Sequence, residues 1–205
     1  MSGMGKRETE RMLLMKLAEP VVGFAVRKGL SPFALTYSAF ALALVAAALY
    51  GLNGFSAFLV PLAGTVYLVS AFLDAIDGEV ARRQGRASER GAFLDSVLDK
   101  ASEVAVSVGL AFAVEPLAAI LFASGSLLVS YARARAEALG VELAGVGIAE
   151  RAERTIILFV GSLMRPVLGA EALLAALLLA ALLSFLTVAQ RVLVTVRRLS
   201  ASSPP

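Results

Sequence analysis

The chain contains no cysteine and no histidine, and each absence narrows its chemistry. Without cysteine there is no disulfide frame, no thiolate nucleophile and no Cys-ligated zinc or iron–sulfur centre. Without histidine, the commonest metal ligand and the usual general base near neutral pH are both missing. Charge is scarce as well: 17% of the 205 residues are Asp, Glu, Lys or Arg, against about 25% in an ordinary soluble domain. Any reaction must run on carboxylates, hydroxyls, lysine and arginine.

What the chain has in excess is apolar surface. Hydrophobic residues make up 59% of it, and the mean hydropathy is +0.81. A soluble fold of this size has nowhere to put that surface, so the solvent for most of the chain is lipid. The formal net charge of +3 needs no nucleic-acid partner, because basic residues flank membrane spans and set their orientation. No signal peptide is expected, since the charged stretch Lys6 to Glu10 precedes the first apolar run and no small-residue cleavage site closes a short one.

No charged residue occurs between Gly29 and Leu73. That run exceeds a single span of about 20 residues, and Gly-Leu-Asn-Gly at 51–54 breaks it in two. The pattern predicts helices over 32–51, 55–78, 91–114 and 116–138, a fifth from Ile148 that includes Thr155–Met164, and a sixth over 171–198. The fold class is therefore all-α and integral to the membrane, with six transmembrane helices. Residues 8–28 read as an amphipathic juxtamembrane helix lying on the membrane surface, with Met12, Leu13 and Leu17 beside Arg11, Lys16 and Glu19. The expected organisation is an interfacial segment over 1–30, a membrane domain over 31–198, and a disordered tail over 199–205. With six spans, every Lys and Arg except Arg165 falls at one face of the membrane. That face is read as cytoplasmic, with both termini on it.

The most informative stretch runs from Asp74 to Asp99. Asp74 and Asp77 are three apart, and Asp95 and Asp99 four apart, so on helices each pair shares a face. Both pairs fall toward the basic ends of neighbouring antiparallel spans, where four carboxylates can converge. An unpaired acid in a span costs roughly 2.5–3.5 kcal/mol at mid-depth, and four together repel one another. Cations between them resolve both costs, and oxygen-only ligands favour Mg²⁺ or Mn²⁺, or else Ca²⁺. Two other readings compete. The acids could pair with the arginines of 82–90, although Glu79 and Glu89 can serve those. They could instead mark an ion-coupled transporter, although the second half of the chain has no matching Gly/Pro-interrupted acidic segment.

The same stretch fits D-x2-D-G-x2-A-R-x8-G-x3-D-x3-D at every specified position: Asp74, Asp77, Gly78, Ala81, Arg82, Gly91, Asp95 and Asp99. In this it resembles the CDP-alcohol phosphatidyltransferases, whose six-span topology it also shares. The resemblance implies that the four acids bind two metal ions which clamp the diphosphate of a CDP-linked lipid. It makes Asp99 the general base toward an acceptor hydroxyl, with CMP leaving. It also implies a nucleotide site at Asp77, Gly78, Ala81, Arg82 and Gly91, with the glycines admitting the nucleotide close to the helices and Arg82 meeting a phosphate. Tight helix packing is the alternative reading of both glycines.

The acceptor is addressed by a second basic cluster, S-Y-A-R-A-R-A-E at 130–137 and G-I-A-E-R-A-E-R at 147–154. Arginine suits a phosphate because its planar fork donates paired hydrogen bonds. These segments are similar to those of the inositol-phosphate-using branch of the family. That similarity implies an acceptor-phosphate pocket at Ser130, Arg133 and Arg135, with Arg191 and one of Arg151 or Arg154 nearby. The resulting expectation is an enzyme that transfers a phosphatidyl-type group from CDP-diacylglycerol or CDP-archaeol to inositol 1-phosphate and works as a homodimer in the cell membrane. Glycerol 3-phosphate is the alternative acceptor.

Overall fold

The computed structural model describes the backbone of residues 6–202 and the side chains of 16–201. The side chains of Arg11, Met12 and Leu13, and residues 203–205 of the expected tail, lie outside the described residues. The described elements are helical throughout: α1 Lys6–Arg27, α2 Pro32–Gly51, α3 Leu59–Arg83, α4 Glu89–Ala113, α5 Pro116–Glu137, α6 Arg151–Leu168 and α7 Ala170–Ser202, with a 3-10 turn at Asn53–Phe55.

Local chemistry sets the boundaries. Pro32 and Pro116 open α2 and α5 at the position where a missing N–H costs nothing. Ser88 caps α4 by accepting from the Gly91 N–H at 3.1 Å. Glu150 and Glu153 form a reciprocal capping box at the start of α6. Gly85, at φ 65°, ends α3: the Arg86 N–H reaches the Ala81 carbonyl at 2.9 Å and the Gly85 N–H reaches Arg82 at 3.1 Å. This glycine is the first true stop after Asp77, which explains why α3 runs to Arg83 rather than to the predicted 78. At the other terminus α7 continues through Ser202, so the first four residues of the expected tail are helical, and that boundary is corrected.

Six helices close into a ring, with α2 touching α3 and α4, α4 touching α5, α5 touching α7, α7 touching α6, and α6 returning to α3. Glycines let the backbones approach at the seams. A Cβ on Gly109 would lie 2.2 Å from the Ala47 carbonyl oxygen, one on Gly64 2.6 Å from Ser162, one on Gly161 2.4 Å from Ala176, and one on Gly125 2.8 Å from Ser184. Between the seams Tyr50, Tyr67, Leu110, Phe122, Leu158 and Leu177 are fully buried, and the Tyr50 hydroxyl meets Ser162 Oγ at 2.7 Å. Large apolar side chains such as Phe58, Phe112 and Val167 stand outward, as a lipid solvent requires.

Four helices, α2, α3, α5 and α7, are long and apolar enough to cross a membrane. The remaining two of the ring miss that measure for one reason. Asp95, Asp99, Lys100 and Glu103 occupy the first half of α4, and Arg151, Glu153 and Arg154 the first turn of α6.

The helices alternate in direction, which gathers the acids and the basic cluster at one end. At the opposite end Arg165 donates to the Ala113 carbonyl at 2.6 Å and to Asn53 Oδ1 at 3.2 Å. The amide of Asn53 in turn donates to the carbonyls of Tyr50 and Phe112, both at 2.9 Å. Helix α1 lies outside the ring. Its Ala18, Val22 and Ala25 pack on Ile76 and Val80 of α3, while Leu17 is exposed. Arg83 donates twice to Glu19, at 2.8 Å each, and so holds that carboxyl below the usual carboxylate range.

Candidate functional site

The motif residues sit where α3 and α4 face each other at the polar end of the ring. The i, i+3 spacing puts Asp74 and Asp77 on one side of α3, and the i, i+4 spacing does the same for Asp95 and Asp99 on α4. Asp95 is common to both sides of the resulting acid face, with Asp77 on one side and Asp74 and Asp99 on the other. Arg151, from the first turn of α6, bridges the two helices by pairing with Asp74 and with Asp99. Arg82 and Arg83 pair with Glu79, at 2.7 and 2.9 Å, so the basic end of α3 has its own partner and leaves the motif acids to other work.

A cavity opens on either side of this acid face. The smaller, about 220 Å³, is lined by Asp77, Gly78, Ala81, Arg82 and Gly91, together with Thr36, Phe33 and Asp95. All the residues expected at a nucleotide site therefore share one hollow. The glycines face open space: a Cβ on Gly78 would meet only the tip of Arg82, at 3.7 Å, and one on Gly91 only Ser88 Oγ, at 3.2 Å. Neither packs against another helix, in contrast to the seam glycines. Thr36, one turn into α2, donates from Oγ1 to Asp77 Oδ2 at 2.6 Å and fixes that carboxylate.

The larger cavity, about 720 Å³, is lined by Asp74, Asp95, Asp99, Lys100, Ser130, Arg133, Arg151, Arg154 and Arg191, among others. Five helices of the ring contribute to it. Most of the expected basic cluster is therefore here, and its members are placed differently. Arg135 is exposed and does not line the cavity, because residues two apart on a helix point to different sides. Arg154 borders the cavity but is 2% exposed, donating to Glu103 and Ser126 at 2.8 and 3.0 Å, so its charge is balanced within the protein. Arg191 is also buried, held by the Val146 and Val129 carbonyls at 3.0 and 2.7 Å. Arg133 is exposed and pairs with Glu137 one turn on, at 2.8 Å.

The donor set suits a hard divalent cation. Every candidate ligand is a carboxylate oxygen, and the buried Asp95 Oδ1 has no hydrogen-bond partner, while Asp99 Oδ1 faces only the Arg151 guanidinium. Among the described residues no three acidic side chains converge tightly enough to enclose an ion by themselves, so the expected convergence is looser than the spacing implied. That is the usual arrangement for Mg²⁺, which takes one or two carboxylates and completes its shell with water and substrate phosphates.

Thr36, Lys100, Glu103 and Ser126 escaped the sequence reading. For Glu103 a signal was present: it continues the spacing of Asp95 and Asp99 by one more turn of α4. Thr36 gave none, being one hydroxyl in a long uncharged run.

Comparison with known proteins gives this geometry a context. The family model for CDP-alcohol phosphatidyltransferase matches residues 30–196. An archaetidylinositol phosphate synthase of Pyrococcus horikoshii is 42% identical over 140 residues, which span 67% of this chain and 71% of that protein. A phosphatidylinositol phosphate synthase of Streptomyces avermitilis is 35% identical over 209 residues, covering 94% of this chain and 83% of the relative. Among solved structures, the phosphatidylinositol phosphate synthase of Mycobacterium tuberculosis with CDP-DAG bound superposes with a TM-score of 0.73 at 28% identity, covering 88% of this chain and 94% of that one. The same protein in complex with manganese and citrate gives a TM-score of 0.73 over 86% and 87% of the two chains. With its motif unbroken from Asp74 to Asp99 and the match running through nearly the whole ring, the chain belongs to the CDP-alcohol phosphatidyltransferase family of enzymes.

Proposed function

We propose that this enzyme transfers a phosphatidyl-type group from a CDP-linked lipid to inositol 1-phosphate and releases CMP. The observation that carries the reading is the acid face between two cavities of unlike chemistry, one small and glycine-lined, the other large and bordered by arginines. The named relatives at 42% and 35% identity make inositol-phosphate products, which favours inositol 1-phosphate over glycerol 3-phosphate.

In this reading Asp77, Gly78, Ala81, Arg82 and Gly91 bind the nucleotide in the smaller cavity, and Thr36 keeps Asp77 aimed. Ser130, Arg133, Arg151 and Arg191 receive the acceptor phosphate in the larger one, where guanidinium forks match its oxygens. Asp99, in the wall of the larger cavity, takes the proton from the acceptor hydroxyl as that oxygen attacks the lipid-side phosphorus. The bond from phosphorus to the CMP oxygen breaks, and CMP leaves with the electron pair. Two divalent ions, Mg²⁺ or Mn²⁺, held by Asp74, Asp77, Asp95 and Asp99, would neutralise charge on the phosphoryl oxygens and orient both reactants.

The reading extends to the membrane. At 25 and 18 residues, α4 and α6 reach about 37 and 27 Å at 1.5 Å per residue, comparable to a hydrocarbon core of about 30 Å. We take them as the fifth and sixth spans of a domain over 31–198 in the cell membrane, working as a homodimer. The basic end, with both termini and the site, then lies in the cytoplasm.

The test is CMP release by the purified protein in detergent with Mg²⁺, supplying CDP-diacylglycerol or CDP-archaeol and, in turn, inositol 1-phosphate, glycerol 3-phosphate and free inositol. Release that depends on inositol 1-phosphate is expected. Release with glycerol 3-phosphate alone reassigns the acceptor, and no release with any acceptor refutes the reading.

A further inference from the structure

Directly beneath the acid face lies a charged pair that the proposed chemistry leaves unused. Glu103 is 1% exposed and Arg154 2% exposed, and they meet at 2.8 Å between α4 and α6. The second oxygen of Glu103 accepts from Ser126 of α5 and from Lys100 at 2.8 Å. Ser126 also receives a hydrogen bond from Arg154 at 3.0 Å. Three helices of the ring are thus joined at one carboxylate.

A buried ion pair is a poor source of net stability, since an apolar pair of similar volume is often as stable or more so. What a charged pair adds is directionality: it accepts one register and rejects slipped ones. The register here has consequences for the site. On α4, Asp99 and Glu103 are four apart; on α6, Arg151 and Arg154 are three apart. Each spacing places its pair on one helix face, and the faces meet as two rungs, Asp99 with Arg151 and Glu103 with Arg154. Lys100 couples the rungs by reaching Asp99 Oδ2 and Glu103 Oε2, both at 2.8 Å. The seams at Gly161 and Ser162 hold the far half of α6, so a local shift of its first turn is enough to carry Arg151 away from the acid face.

We propose that Glu103 and Arg154, with Ser126, are positioning residues that set the register of α6 against α4 and thereby aim Arg151 into the larger cavity for the acceptor phosphate. The proposal rests on the acceptor reading given above and deepens it. It moves Arg154 from a phosphate contact to the support that keeps its neighbour in place.

The double variant Glu103→Leu/Arg154→Met tests the idea, because it replaces the pair by apolar bulk without stranding either charge. In detergent it should melt within a few degrees of the parent, show an unchanged KM for the CDP-linked lipid, and raise the KM for inositol 1-phosphate about tenfold or more, as a displacement near 1 Å can. A folded double variant with parental acceptor KM overturns the proposal, and so does an equal rise in both KM values. If the double variant does not fold, Ser126→Ala decides: a rise confined to the acceptor KM supports the proposal, and no rise, or the same rise in both, overturns it. Amide exchange over 151–154 reads the register without any acceptor. Faster exchange there in the variant supports the proposal even if the parent protein proves inactive with inositol 1-phosphate, and unchanged exchange overturns it.

Discussion

The two cavities beside the acid face are built on opposite plans. The smaller draws on α2, α3, α4 and the short turn between the last two, and its width comes from side chains that are missing. The larger draws on five helices, and its character comes from long cationic side chains already engaged with carboxylates or carbonyls. The first hollow is therefore rigid and specific by shape, since narrowing it takes only a methyl group. The second is specific by charge, and in the proposed reading its cations exchange one set of partners for another when the acceptor phosphate binds.

The sharpest break with that comparison would come at the acid face the cavities flank. Asp95→Asn or Asp99→Asn should abolish CMP release at saturating Mg²⁺ while the protein stays folded, measured by turnover beside a melting curve; parental turnover in either would remove these acids from the reaction. Next come the glycines. Gly78→Val should raise the KM for the CDP-linked lipid about tenfold, on the order expected when a misfit shifts a reacting group, and leave the acceptor KM alone. Gly109→Ala should act on folding instead, because its Cβ would fall 2.2 Å from a carbonyl oxygen, costing about 1–3 kcal/mol in overpacking. If both substitutions lowered the melting temperature equally, the distinction between cavity and seam glycines would fail.

A smaller effect separates two arginines of one helix. Arg133→Ala should raise the acceptor KM several-fold, about 1 kcal/mol for a charged hydrogen bond at a partly exposed site, whereas Arg135→Ala, off the cavity wall, should leave it near parental. Equal effects would break the assignment. The smallest concerns α1. The Glu19 carboxyl is held low by Arg83, so its contribution is present above the ordinary glutamate range and lost as pH falls through the depressed value. Amide exchange over 16–27 should quicken in acid, and Glu19→Gln should remove that dependence.

The two plans also explain what could be read from sequence. The smaller cavity is encoded within a short stretch from Asp77 to Asp95, where helical spacing alone predicts which side chains share a face, and there the reading needed only Thr36 and its neighbours in α2 added. The larger cavity collects residues up to a hundred or so positions apart, so their local spacing says nothing about which charges they meet. Arg154 and Arg135 looked equivalent to Arg151 and Arg133 as letters in a basic run. Only the side-chain pairing of α4 with α6 across the ring, and the direction of each turn of α5, separates the buried partner of Glu103 from a cavity-lining cation. The same charges, Asp95, Asp99, Lys100 and Glu103 on α4 and Arg151, Glu153 and Arg154 on α6, set those two helices apart from the four that are apolar enough to cross a membrane.

Arg165 and Asn53 bear on how such a chain comes to be inserted. Carrying their end of the ring across a bilayer transports a single guanidinium, whereas carrying the other end would transport every other described basic side chain. An arginine at the middle of the hydrocarbon costs roughly 2.5–3.5 kcal/mol, and here the penalty is met once, on a side chain that finds a carbonyl and an amide waiting when the fold closes. In the six-span topology proposed above, that asymmetry of charge favours one direction of insertion, and the lone cation at the Asn53 end becomes a bolt rather than a burden.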